Sequence, residues 1–449
     1  MRKPYLLLIL LISLLNANVI FAQTTLLKNA TLIDGTGKAP RQNTDILIQG
    51  PNIAAVGNSL PSKGATVIDL KGKTVIPSFI VTHAHAGTLK GLTTPPGNYS
   101  RDNLLRQLIR YQDYGITQVL AMGTDRPLIF QTGFRDSSVA GLLPGARLHS
   151  AGYGFTIPGG APPPPFPMDL LYRPANAGEV PAQMEQLAKV KPAVVKIWVD
   201  DFGGGTPKMT PEVYTAIIWE AHRHHLRVAS HLYYLEDARK LIAAGVDIIA
   251  HSIRDKDVDQ DILQAMKQKG VIYIPTLSLD EYAYIYARRP EWIDDAFFKA
   301  ALEPGVYEMI TAEKYQQQLQ AGYDKNLKAF KTAQRNLKKI HDAGILVSFG
   351  TDSGANPVRA QGFSEHLELE LMVQAGLTPV QAITVATGNA ARTLKIDRQT
   401  GTIEKGKLAD LLILDGNPAD DIKNTRKITA VYKAGQQVSQ GPLEKNAIQ

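Results

Sequence analysis

From Val75 onward the chain alternates short β-rich runs with helical stretches, and this repeat narrows the available folds more than any other feature. The strand candidates are Thr74–Thr82, Ile116–Ala121, Arg147–Ala151, Val194–Val199, Arg227–Ser230, Ile248–Ala250, Ile272–Pro275 and Leu346–Gly350. Helical patterns fill most of the gaps, for example Met209–His224, Tyr234–Ala244, Val258–Lys269 and Thr332–Ala343. Gly245, Gly270 and Gly344 stand where helices end and a left-handed cap is wanted. Repeated βα units predict a parallel sheet, and eight strands predict a closed (β/α)8 barrel. An open doubly wound sheet is the alternative. It is weakened because no G-x-G-x-x-G opens a helix after the first strand.

The two ends of the chain read differently. Thr24–Lys73 is a series of short alternating strands broken by turns, and Gly401–Gly435 repeats that style. The expected organisation is therefore α/β: a TIM barrel over 75–395, and one small β-sandwich built from 23–74 and 396–449. Two segments are placed to shape the barrel mouth. One is the proline-rich stretch Ile157–Pro167, and the other is a tyrosine-rich, largely helical insertion at about 280–335. The insertion reads equally as a lid or as extra packing.

The first residues suggest a compartment. Arg2 and Lys3 precede the apolar run Leu6–Leu15, and Ile20 and Ala22 bracket a cleavage site before Gln23. Residues 1–22 thus read as a signal peptide of an exported, periplasmic or extracellular protein. A membrane anchor is the alternative, but the apolar run is short for a bilayer. Losing Arg2 and Lys3 takes the formal charge from +7 to +5. The remaining positive charge is dispersed, so no nucleic-acid surface is expected. The chain has no cysteine, which excludes disulfides, thiolate metal ligands and a cysteine nucleophile.

Chemistry concentrates at strand ends. His83-Ala84-His85 closes the first barrel strand, where alternate residues face the same way and two imidazoles can meet one metal. His231 ends the fifth strand, His251 the sixth, and Asp352 follows the eighth. In a parallel barrel the C-terminal strand ends carry the active site, and nitrogen plus carboxylate ligands suit zinc. Lys196 lies inside the fourth strand, where a lone ammonium is costly to bury. It needs a carboxylate partner such as Asp200 or Asp201, or conversion by CO2 to an anionic carbamate that can bridge two metals. His222, His224 and His225 lie near a helix end, where cationic side chains suit the dipole. His149, His341 and His366 read as structural or exposed, and Gly203-Gly204-Gly205 as a flexible turn.

These residues resemble the amidohydrolase superfamily, in its imidazolonepropionase-like and Xaa-Pro dipeptidase-like branch. Gly72-Lys73-Thr74-Val75-Ile76-Pro77 leading into His83-Ala84-His85, the strand-end His231, His251 and Asp352, and Gly401 to Asp410 carry the likeness. It departs at Ser78 to Thr82, where the family usually reads Gly-Leu/Phe-Ile-Asp after the proline. The resemblance implies that His83, His85 and Asp352 hold one metal and His231 and His251 a second, with carbamylated Lys196 bridging them. It implies one or two zinc ions and Asp352 as general base and acid. Tyr233 resembles a substrate-contacting tyrosine, while Arg254 and Arg359 are placed to meet a substrate carboxylate. The expected activity is hydrolysis of an amide or peptide-like C–N bond in a small substrate, such as an N-acyl amino acid or Xaa-Pro dipeptide. A lactone or cyclic-amide hydrolase, a deaminase and a non-catalytic binding protein are the alternatives. A homo-oligomer is left open.

Overall fold

The computed structural model describes residues 24–162 and 169–443. The expected leader and part of the proline-rich segment lie outside the described residues. The N-terminal strands are β1 (Thr24–Leu32), β2 (Arg41–Gln49), β3 (Asn52–Gly57), β4 (Thr66–Asp69) and β5 (Thr74–Pro77). The central ones are β6 (Phe79–Ala84), β7 (Ile116–Ala121), β8 (Arg147–Ser150), β9 (Val195–Trp198), β10 (Val228–His231), β11 (Ile248–Ala250) and β12 (Ile272–Ile274). The C-terminal ones are β13 (Leu411–Leu414), β14 (Ile428–Lys433) and β15 (Gln436–Ser439).

The two ends of the chain share one sheet, in the order β15-β14-β13-β5-β1-β2-β3, with β4 also on β1. The link is the antiparallel pair β13 and β5, where Leu412 lies opposite Ile76. Alternation along these strands serves two cores at once. Leu411, Ile413 and Val75 pack among Leu27, Leu32 and Ile46 in a small core. Their neighbours Leu412, Leu414 and Ile76 face the main core.

The central strands form two parallel sheets, β6-β7-β8 and β9-β10-β11-β12. Backbone hydrogen bonds cross both seams. Beside β8, Ala193 N donates to Ser150 O at 2.8 Å and Phe155 N to Lys196 O at 2.7 Å. On the other side, Leu346–Gly350 is not a regular strand but an extended bridge. Ser348 N donates to Tyr273 O at 2.8 Å, and Thr82 N to Phe349 O at 2.7 Å. The hydroxyl of Thr82 also donates to Phe349 O at 2.7 Å.

The single run expected at Thr74–Thr82 is two strands. Pro77 has no N–H for a ladder, and the chain changes partners there. Ser78 N donates to Asp410 O, just before β13, and Phe79 N to Gly115 O, just before β7. The expected helices appear as Pro211–Arg223, Leu235–Ala244, Gln260–Lys269 and the longer Tyr323–Asp342. In the insertion, Trp292 and Phe298 pack on Phe363 with ring centroids 5.0 and 4.7 Å away. Phe297, Phe298 and Phe330 are buried in the main core and Trp292 packs against it, which anchors the segment to the rest of the fold.

Candidate metal centre

The strand ends deliver the titratable groups to one place. His83 lies within β6 and His85 just beyond it, two residues apart and so on one side. Lys196 lies within β9, His231 ends β10 and His251 follows β11. Asp352 follows the bridging segment, and the amides of Thr351 and Asp352 both donate to His83 O at 3.0 Å. Several of these ends turn sharply: φ is +94° at His251, +58° at Asp352 and +54° at Thr276. Left-handed backbone is uncommon outside glycine and costs about 1–3 kcal/mol per residue. Here it aims side chains inward from the strand ends. Gly350 permits the approach of its neighbour, since a Cβ there would lie 2.6 Å from the Cβ of His83.

His83, His85 and Asp352 bring ligand atoms within 4.8 Å of one another, a group able to hold a metal ion. Oδ1 of Asp352 is 3.2 Å from Nε2 of His83 and 2.8 Å from Nε2 of His85. The His251 ring stands 4.4 Å from that of His83 and 4.5 Å from that of His231, centroid to centroid. Outer partners tie one nitrogen on three of the rings. Thr124 takes Nδ1 of His85 at 2.8 Å, Thr276 takes Nδ1 of His251 at 2.9 Å, and Asp200 takes Nε2 of His231 at 2.9 Å. Such partners fix ring orientation and tautomer around a metal. Nδ1 of His83 is buried without a hydrogen-bond partner. A cluster of inward-facing imidazoles with a shared carboxylate therefore fits a divalent metal in donor type.

Lys196 is 1% exposed, with Nζ 3.4 Å from Nε2 of His83. Among the described residues no carboxylate stands within ion-pair distance of it. The alternative of a pairing with Asp200 or Asp201 is therefore not what the structure shows. Asp200 is turned to His231, and Asp201 accepts from the Tyr234 hydroxyl at 3.0 Å. Burial drops the Lys196 ammonium to about 7, against the opposing pull of Asp352. Burial likewise drops His83 to about 3 and holds His231 and His251 below the usual imidazole range. The rings are thus neutral, as metal ligands must be. For Asp352 burial acts upward, but Arg359 and His85 win and hold it well below the usual carboxylate range.

A cavity of about 410 Å³ opens over this cluster, walled by Trp198, Phe202, Tyr233, Tyr234 and Leu279. Arg254 borders it, with its guanidinium 4.6 Å from the Tyr233 ring centroid. Arg359 also borders it but is engaged with Oδ2 of Asp352, so its expected freedom to meet a substrate is not what the structure shows. The structure brings His83, His85, Lys196, His231, His251 and Asp352 together, with Tyr233 and Arg254 on the wall. Sequence reasoning passed over Thr124, Thr276 and Asp280, and it weighed Asp200 only as a partner for Lys196. Thr124, Asp200 and Thr276 follow a parallel strand closely, so the positional rule that found the histidines would have found them too, whereas Asp280 lies further on, in the helix Leu277–Tyr282.

A parallel α/β scaffold with a nitrogen and carboxylate cluster at its strand ends defines a metal-site enzyme fold. The amidohydrolase family matches residues 74–438, and the chain belongs to that family. It is 30% identical to an ochratoxinase of Aspergillus niger over 235 residues, 51% of this chain and 41% of that protein. It is 36% identical to an imidazolonepropionase of Brevibacillus brevis over 181 residues, 40% of this chain and 37% of that one. The chain thus matches less than half the length of either relative. The solved structure of a Xaa-Pro dipeptidase with bound methionine in the active site superposes with a TM-score of 0.71 at 26% identity. That likeness covers 92% of this chain and 99% of the other.

Proposed function

We propose that this protein hydrolyses an amide or peptide-like C–N bond in a small substrate, an N-acyl amino acid or a Xaa-Pro-type dipeptide. The observation that carries this reading is the shared Oδ1 of Asp352 between two inward histidines at the floor of the cavity. One or two zinc ions would be held by His83, His85, His231, His251, Asp352 and carbamylated Lys196. A divalent metal bound here would supply an acidified water and a Lewis acid for the substrate carbonyl.

The chain's own residues then have distinct tasks. Asp352, kept free of its proton by Arg359 and His85, accepts the proton of the attacking water. Its low proton affinity lets it pass that proton on to the leaving nitrogen. Thr124, Asp200 and Thr276 keep the imidazoles oriented. Arg254 and Tyr233 would receive a substrate carboxylate, and the aromatic wall would hold the apolar part.

The hydrogen-bonded seams support reading the two parallel sheets as one eight-stranded barrel over 75–395, with 23–74 and 396–449 as its β-sandwich. Residues 1–22 are read as a signal peptide of an exported protein. N-terminal sequencing of secreted protein should begin at Gln23, and an intact leader would refute this.

The test of function is hydrolysis of a panel by metal-stripped and zinc-reloaded protein. The panel holds N-acyl amino acids, Xaa-Pro dipeptides, lactones and cyclic amides. Turnover of the amides only after reloading is expected. Turnover of lactones alone, or turnover indifferent to metal, would overturn the reading.

A further inference from the structure

The insertion that follows β12 opens with the helix Leu277–Tyr282, and this helix brings a buried carboxylate to the cavity wall. Asp280 is 4% exposed, and its Oδ1 lies 3.2 Å from Nε of Arg254. Arg254 is held from two other sides. Its NH1 donates to Ser252 O at 3.2 Å, and its guanidinium carbon lies 4.6 Å from the Tyr233 ring centroid. Its side chain is only 11% exposed, yet it borders the cavity. Among the described residues no protein acceptor takes NH2 of Arg254. A planar cation fixed at one edge, backed by a ring and open at another edge is a pre-organised receptor for a carboxylate. The other arginine on the wall, Arg359, is engaged with Asp352.

We propose that Asp280 is a positioning residue for substrate selection: it locks Arg254 so that the cavity takes substrates bearing a free carboxylate. The insertion is then a specificity element, built into the core by its aromatic residues. This rests on the reading of the cavity as the site for an N-substituted amino acid.

The partners of Arg254 divide the work. Ser252 O fixes NH1 in direction, Tyr233 covers one face, and Asp280 supplies the compensating charge. Without Asp280 the guanidinium would turn toward the remaining acids of the cavity. Asp200, already bonded to His231, is one of them. An arginine so engaged would no longer present its open edge to a ligand.

The experiment measures binding by calorimetry to the full-length, zinc-loaded protein. The probes are N-benzylphenylalanine and N-benzylphenylalaninol, which differ only in the carboxylate and contain no scissile amide. The parent should prefer the acid by about tenfold or more, as expected for a desolvated charge contact. Asp280→Asn should lose most of that preference while binding the alcohol as before, and Asp280→Glu should restore part of it. Arg254→Met should abolish the preference, and adding Asp280→Asn to it should change nothing further. An unaltered preference in Asp280→Asn, equal weakening of both probes, or a preference that survives Arg254→Met would overturn the proposal. Absence of any preference in the parent would overturn it as well. Should Asp280→Asn fail to fold, Asp280→Ser and Asp280→Glu carry the same test, and a preference undiminished in both would overturn the proposal. Because neither probe is hydrolysed, failure here is separable from failure of the hydrolase reading, which the turnover panel decides.

Discussion

Nζ of Lys196 stands 3.4 Å from Nε2 of His83, inside a strand and, among the described residues, beyond ion-pair distance of every carboxylate. Burial holds much of this amine as free base near neutral pH, which is the form that reacts with CO2. The N–C bond forms as the amine loses a proton to solvent, and the product is an anionic ligand. Protein loaded with zinc in 13C-bicarbonate should show a carbamate carbon signal that Lys196→Ala lacks. Fully active protein without that signal would rule the modification out.

Asp352 divides its oxygens, Oδ1 to the histidines and Oδ2 to Arg359. Asp352→Asn keeps the shape and loses the base. Turnover should fall by about 10²- to 10⁴-fold, the range of general acid–base catalysis, with the circular dichroism spectrum unchanged. A variant as fast as the parent would remove Asp352 from the mechanism.

Gly350 is set by the crowding of β6 against the bridging segment. In Gly350→Ala the new methyl would sit 2.6 Å from both Cβ of His83 and Cγ2 of Ile274, atoms that cannot simply swing away. The expected cost is about 1–3 kcal/mol of stability, typical of overpacking, together with weaker zinc binding. Urea denaturation and zinc titration read the two effects. An unchanged midpoint would mean that the strands give way more easily than the packing implies.

His366 offers a pH-dependent test outside the metal cluster. Its Nε2 lies 3.0 Å from Tyr114 O and its Nδ1 3.0 Å from the Thr425 hydroxyl, so the neutral ring satisfies both. Burial holds it down to about 3, whereas the unfolded imidazole titrates near 6.5. Above that value both states are neutral and the ring adds no pH dependence. As pH falls below it, only the unfolded chain gains the proton, so folding stability declines by about 1.4 kcal/mol per pH unit. His366→Gln should flatten the stability curve between pH 6.5 and 4 by about that slope. Parallel curves for parent and variant would show that the ring takes up its proton in the folded state.

The sequence was legible where chemistry and periodicity coincide. Histidines and an aspartate just past apolar runs marked the side chains that the structure clusters, because a strand end is where a polar side chain leaves the core. Ile116–Ala121 and Ile248–Ala250 were readable to the residue, since their β-rich runs end at evident breaks. What could not be read is pairing. Nothing local tells whether Leu346–Gly350 joins a ladder or only bridges two sheets. Nothing local assigns Asp200 to His231 over Lys196 either, because both lie near it and only the fold orients the carboxylate. Asp280 lay hidden for the same reason: its partner Arg254 is 26 residues away in sequence and meets it across two strand ends.

The change of partners at Ser78 carries a consequence for how the molecule is made. His83 stands a few residues beyond a strand whose neighbour, Leu411–Leu414, lies far along the chain from it. Pairs of such wide sequence separation cost much loop-closure entropy before they repay it, and they slow folding. A nascent chain would therefore hold β1 to β5 with one edge of the sheet unpaired until Leu411–Leu414 has been made. The strand that carries His83 gains its full support only then, so a product that stops short of Leu411 should be recognised as unfinished by proteases before it is ever tested as an enzyme.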